Sequence, residues 1–204
     1  MNDISKNNKA DHILVHKVLS GDTNAFSIII SNTERLVAQI VFKMISNNED
    51  KKDIAQDIYL KAFKNLSSFK YQSKLSTWIG TIAYNTCLNH IGKKKLVFID
   101  TTFKLENDCE EELEIINSKA QTISTNDTYN LIFQKELSEI LTSEIEILSP
   151  VYKTLITLYH NEELSYSEIS QITSLPEGTV KNYLFRARKM LKDSILRKYK
   201  KEDL

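Results

Sequence analysis

Four glycines and two prolines among 204 residues are too few turn formers for a many-stranded sheet. Leu, Ile, Lys, Glu and Ala instead recur at helical spacing, which predicts an all-α fold. Cysteine is equally scarce. Cys87 and Cys109 have no CxxC partner and no histidine at ligand spacing, which argues against a disulfide framework and a zinc site. His12, His16, His90 and His160 are scattered, so no metal centre is expected. The chain also lacks a glycine-rich phosphate loop, a nucleophile elbow and an HExxH motif, and neither catalytic residues nor a cofactor are expected. It has no run of about 18 apolar residues, and its start, MNDISKNNKADH, is polar, which predicts a cytoplasmic chain without membrane insertion.

Net charge is zero, but the charge is unevenly distributed. Residues 1–95 hold 14 basic and 8 acidic side chains, residues 96–148 hold 3 and 12, and residues 149–204 hold 10 and 7. An acidic middle between two mildly basic ends, in a chain able to bury two small cores, predicts two helical domains. The stretch between them carries Asp100, Glu106, Asp108, Glu110, Glu111, Glu112 and Glu114 without a clear period, and reads as a flexible acidic linker.

Residues 164–191, LSYSEISQITSLPEGTVKNYLFRARKML, spell two short helices around a tight turn. Ser165 with Glu168 forms a capping box for the first helix, and Pro176 suits the first turn of the second. On a helical wheel Val180, Tyr183, Leu184, Ala187, Met190 and Leu191 gather on one side and Lys181, Asn182, Phe185, Arg186 and Lys189 on the other. Nine Lys or Arg against one acid lie between Lys181 and Lys201. A helix-turn-helix with such a face suits phosphates and base edges in a major groove.

In the first half, Asp22 caps a core helix running from Thr23 to Met44, after a shorter helix near Ile13–Leu19 broken by Gly21. DIAQDIYLKAFKNL turns Ile54, Ile58, Ala62 and Leu66 toward a core and Asp53, Gln56 and Asp57 elsewhere. Next, residues 67–95 interleave Phe69, Tyr71, Trp78 and Tyr84 with Lys70 and Lys74, a composition that stacks unpaired bases while holding their phosphates. Core packing is the alternative for each of these aromatics. A transcription regulator with an N-terminal sensor or dimerisation half is the competing reading of the whole chain, though it has no use for the acidic face or the basic aromatic loop.

GDTNAF, DIAQDIYLKAFKNLSSF, STWIGTIAYNTCLNHI and the stretch from LSPVYK to ARKML follow one another as in bacterial sigma factors. Over residues 13–197 the chain resembles the extracytoplasmic-function (ECF) group of the sigma-70 family, which keeps only regions 2 and 4. The resemblance implies a non-catalytic subunit that joins core RNA polymerase, directs it to promoter DNA and helps open the duplex. It implies region 2 at about residues 10–95, the linker at 96–126 and region 4 at 127–199. By position it assigns Asp53, Gln56 and Asp57 to the clamp helices of the polymerase's largest subunit. Phe69, Lys70, Tyr71, Lys74, Trp78 and Asn85 fall to the −10 element, with Asn85 holding a flipped base. Thr179, Lys181, Asn182, Phe185, Arg186 and Lys189 fall to the −35 element. An anti-sigma factor is a further implied partner. Relatives often carry basic side chains where this chain has Thr81 and Tyr183.

Overall fold

The computed structural model describes residues 2–94 and 127–198, so the linker acids and Cys109 lie outside the described residues. Helices account for nearly all of it: α1 (Asn2–Leu19), α2 (Thr23–Met44), α3 (Asn48–Asn65), α4 (Leu75–Lys94), α5 (Asp127–Ile147), α6 (Pro150–His160), α7 (Tyr166–Thr173) and α8 (Glu177–Lys198), with a 3-10 turn at Leu66–Ser68. The expected all-α class is what is found. Helix α1 is longer than its sequence pattern suggests, and after Leu19 the chain turns at Gly21, whose φ of +101° a side chain would strain.

Helix α2 organises the first half. The Asp22 carboxylate accepts the backbone N–H groups of Asn24 and Ala25 and so satisfies two orphan donors at its start. Ala25, Ile29, Thr33, Leu36, Val37, Ile40, Val41 and Met44 are all buried, a stripe wide enough to touch α1, α3, α4 and α6. Mean hydropathy over 18 of its residues is 1.2, so length and composition alone would suit a membrane span. Contact with four other helices accounts for that apolarity. Helix α3 buries Ile54, Ile58 and Ala62, as its spacing predicts, while Leu66 is buried in the following turn.

In the second half α8 is the spine against which α5, α6 and α7 pack. Ser149 stands at the cap of α6 with Pro150 next, but its side chain makes no capping bond. Both hydrogen bonds of the Ser165–Glu168 capping box are present. Ser174 turns the chain with φ of +58°, the Ser170 hydroxyl donates to Leu175 O at 2.6 Å, and the Pro176 carbonyl accepts the first helical bond of α8 from Val180. Val180, Leu184, Ala187 and Leu191 are buried in α8. Met190, which the wheel places with them, is 46% exposed, because no described helix covers the outer edge of that stripe.

Helix α5 is tied to the end of α8 by Glu144, whose carboxylate accepts from Ser194 Oγ and Lys198 Nζ, each at 2.6 Å. The hydrogen bonds from Lys198 and then Ser194 hold this carboxyl below the ordinary glutamate value of 4.5. A depressed folded pKa contributes stability above the unfolded value, and that contribution disappears as pH falls through the folded one. Acid unfolding of the second half should therefore begin below pH 4.5, and Glu144→Gln should flatten that part of the profile. Circular dichroism against pH checks this, and identical acid limbs for the two proteins would refute it.

Candidate nucleic-acid interface

Three surfaces carry the residues singled out in the sequence. On α3, Asp53, Gln56 and Asp57 are exposed together, and Asp57 pairs with Lys61 one turn on at 2.7 Å. On the same face, one turn beyond Gln56 and Asp57, Leu60 is 57% exposed. A large exposed aliphatic beside a polar face is a combination that interfaces use as an anchor with a polar rim. Nothing in the sequence marks it, because a lone leucine in a helix is ordinarily core. Alongside, α2 and α3 enclose an apolar groove of about 510 Å³ lined by Val37, Val41, Phe42, Ala55 and Tyr59.

The second surface is the loop from Phe69 to Lys74 with the start of α4. Phe69 does not present a face to a ligand. It is 6% exposed and lies beneath the others, its ring centroid 4.7 Å from that of Tyr71 and 5.4 Å from that of Trp78. Tyr71 and Trp78 are half-buried on top of it, while Lys70 and Asn85 are exposed. Tyr71 has φ of +58°, a left-handed conformation that costs a non-glycine residue energy and occurs mostly where the surroundings enforce it. Two residues of α1 supply that enforcement. His12 stacks on Tyr71 with centroids 3.6 Å apart and planes 8° from parallel, and the Asp11 carboxylate accepts the Leu75 N–H at 3.0 Å at the first turn of α4. No sequence signal marks Asp11 or His12, since their partners lie about sixty residues away.

Tyr84 is only 4% exposed; burial, with the Tyr183 phenol adding to it, raises its pKa. Cys87, on the core side of the same helix, is fully buried, and burial pushes its thiol up to about 12, too high for a thiolate at neutral pH.

The third surface is the outer face of α8. Lys181 and Lys189 are exposed, and Thr179, Asn182, Phe185 and Arg186 are half-exposed around them. Not every basic residue of this helix faces outward. Arg188 lies over the Tyr159 ring at 5.0 Å and donates to His160, and Lys198 is held by Glu144. Lys181 sits 5.6 Å from the Tyr166 ring centroid, which steadies it at the edge of the outer face.

A helix-turn-helix with a buried inner stripe and a basic, amide- and aromatic-bearing outer face, behind a helical bundle with an aromatic-basic loop and an acidic ridge, defines a DNA-binding transcription protein. The family description "Sigma-70 region 2" matches residues 29–97, and "Sigma-70, region 4" matches residues 138–191. The ECF RNA polymerase sigma-E factor of Haemophilus influenzae is 31% identical over 188 residues, 91% of this chain and 95% of that protein. Its counterpart in Escherichia coli K12 is 30% identical over the same length, with 94% of that protein covered. The chain belongs to the sigma-70 family, in its ECF group, and is a sigma factor that binds core RNA polymerase and directs it to promoter DNA. Sigma factors are non-enzymatic initiation factors.

Among solved structures, CnrH in complex with the cytosolic domain of CnrY has a TM-score of 0.62 at 18% identity, covering 93% of this chain and 99% of that one. The sigma factor RpoE of Bartonella quintana, solved with the anti-sigma factor NepR, has a TM-score of 0.55 at 19% identity, covering 82% of this chain and 94% of that one.

Proposed function

We propose that the three surfaces divide the work of initiation among named residues. The exposed ridge of Asp53, Gln56 and Asp57, with Leu60 at its end, docks on the clamp helices of the polymerase's largest subunit. Lys70, Tyr71, Lys74, Trp78 and Asn85 hold the unpaired −10 strand, with Phe69 as the floor under the two rings. Thr179, Lys181, Asn182, Phe185, Arg186 and Lys189 read the −35 duplex. These assignments correspond to region 2 at about residues 10–95 and region 4 at 127–199, joined by the acidic linker 96–126. The chain acts in the cytoplasm, where an anti-sigma factor holds it, as NepR does RpoE in the complex named above.

The observation that carries this reading is the strained Tyr71 with its His12 brace. An aromatic held at an unfavourable φ beside exposed Lys70 is preorganised for a ligand that stacks, since ring–base stacking is worth about 1–3 kcal/mol per base. Asn85 adds both a donor and an acceptor within the same helix. Run-off transcription with purified core polymerase tests the whole reading. Asn85→Ala is expected to form closed complexes at near wild-type levels while permanganate-reactive thymines around the −10 element decline. Unchanged melting by this variant would remove Asn85 from the strand-holding surface.

A further inference from the structure

Three rings form a short column at the −10 loop, and the outermost belongs to α1. Phe69 is the base, Tyr71 is tilted against it with centroids 4.7 Å apart, and His12 lies flat on Tyr71 at 3.6 Å with the planes 8° from parallel. Exposure rises along the column. Phe69 is buried, Tyr71 is half-buried and His12 is exposed. With His12 on one face and Phe69 against its other side, Tyr71 has no free face for an incoming base. His12 is exposed although Tyr71 covers one of its faces, so what solvent reaches is the far side of the imidazole.

The geometry of the outer pair is that of stacked bases. Aromatic side chains usually meet offset or edge-on, with centroids about 4.5–7 Å apart. Bases in a strand follow one another at about 3.4 Å, close to the separation of His12 and Tyr71. Strain points the same way. Tyr71 holds a φ of +58° that suits glycine, and its half-buried ring fills no core; its largest contact beyond Phe69 is the support of His12. Two exposed lysines flank the column, Lys9 one turn before His12 on the same side of α1 and Lys70 next to Tyr71 in the chain. The carboxylate nearest in sequence, Asp11, is engaged by the Leu75 N–H at 3.0 Å.

We propose that His12 is the outermost step of the −10 surface: one unpaired base of the strand stacks on its free face and continues the column. Helix α1 is then part of the DNA-binding surface, and Tyr71 is a positioning residue that acts through His12. The inference rests on the assignment of the −10 surface given above and deepens it. Because every base has a π-face, the contact adds affinity for the open strand without choosing among bases, and Lys9 and Lys70 meet the phosphates on either side.

The test uses the polymerase holoenzyme and a promoter fork whose −10 element is single-stranded, with iodouracil replacing one thymine at a time. Irradiation joins the base to an aromatic ring stacked on it, and mass spectrometry of the peptides names the ring. At one position the crosslink is expected on His12. His12→Ala should weaken fork binding about fivefold to a hundredfold, the range that one base–aromatic stack is worth. His12→Trp should bind at least as tightly as wild type, whereas His12→Leu, which still packs on Tyr71 but offers no π-face, should lose as much as His12→Ala. Tyr71→Gly suits the left-handed backbone but removes the support, and should abolish the His12 crosslink. Crosslinks to Tyr71 or Trp78 without any to His12, or wild-type binding by His12→Leu, overturn the platform and leave His12 a brace for the loop. Persistence of the His12 crosslink in Tyr71→Gly overturns the positioning role of Tyr71. Failure of the −10 assignment itself looks different: no crosslink to any residue of region 2, together with unchanged melting by Asn85→Ala.

Discussion

Asp57→Arg is expected to abolish association with core RNA polymerase while leaving the chain folded. Asp53, Gln56 and Asp57 share an exposed face of α3, so their charges are unburdened by desolvation before binding and become strong once a basic partner excludes water around them. Reversing one such charge removes an attraction and adds a repulsion, together about 2–5 kcal/mol. At about 1.4 kcal/mol per tenfold, that is a loss of between about thirtyfold and several thousandfold in affinity. The fold should not notice. Asp57's pair with Lys61 leaves both side chains about half exposed, and pairs of this kind contribute at most about 1 kcal/mol. Binding of labelled protein to purified core, with circular dichroism as the control, decides the matter. Wild-type affinity in the reversed variant would take the polymerase contact away from this face. Leu60→Ala should weaken binding as well, because an exposed aliphatic beside the ridge would lose the apolar burial that docking gives it.

The second large effect is expected at Arg186→Ala. A guanidinium on the outer face of α8 that binds the O6 and N7 of a guanine contributes about 1–3 kcal/mol of discrimination against other bases. Its loss should reduce affinity for the cognate −35 duplex and flatten the preference at a single position. Lys189→Ala should behave differently, weakening all sequences alike and lowering the salt slope by about one. Competition binding against single-base variants at two salt concentrations separates them. If cognate and scrambled duplexes lose equally with Arg186→Ala, it is a phosphate clamp and base reading lies with Asn182 or Lys181.

Much of the local structure was legible because it depends on neighbours in the chain. The bounds of α2 follow from the Asp22 cap and the stripe Ile29, Leu36, Val37, Ile40. The capping box of α7 is two hydrogen bonds between residues three apart. The inner and outer faces of α8 follow from helical periodicity alone, apart from Met190 at the stripe's edge. The acidic ridge of α3 was legible for the same reason.

What the sequence did not disclose depends on residues far apart in the chain. Phe69 reads as one aromatic among several; only the packing of Tyr71 and Trp78 above it turns it from a ligand face into a floor. Asp11 and His12 look like helix surface until α1 crosses the loop, sixty residues on, and takes up Leu75 and Tyr71. Arg188 and Lys198 count toward a basic terminus in sequence, but one rests on Tyr159 and the other on Glu144.

By itself the sequence determined the all-α class, the helix-turn-helix, the face each helix buries and the family to which the chain belongs, because caps, periodicity and motif order are written within a few residues of one another. Only the tertiary structure decided that the two helical halves lie against each other. Their contact depends on the fit of Ile172 over Gly80 and on ion pairs between residues about 90 to 130 positions apart. Shape and charge matched across such a separation have no local signature, since nothing in either segment alone distinguishes an isoleucine that faces its own core from one that enters a neighbouring domain.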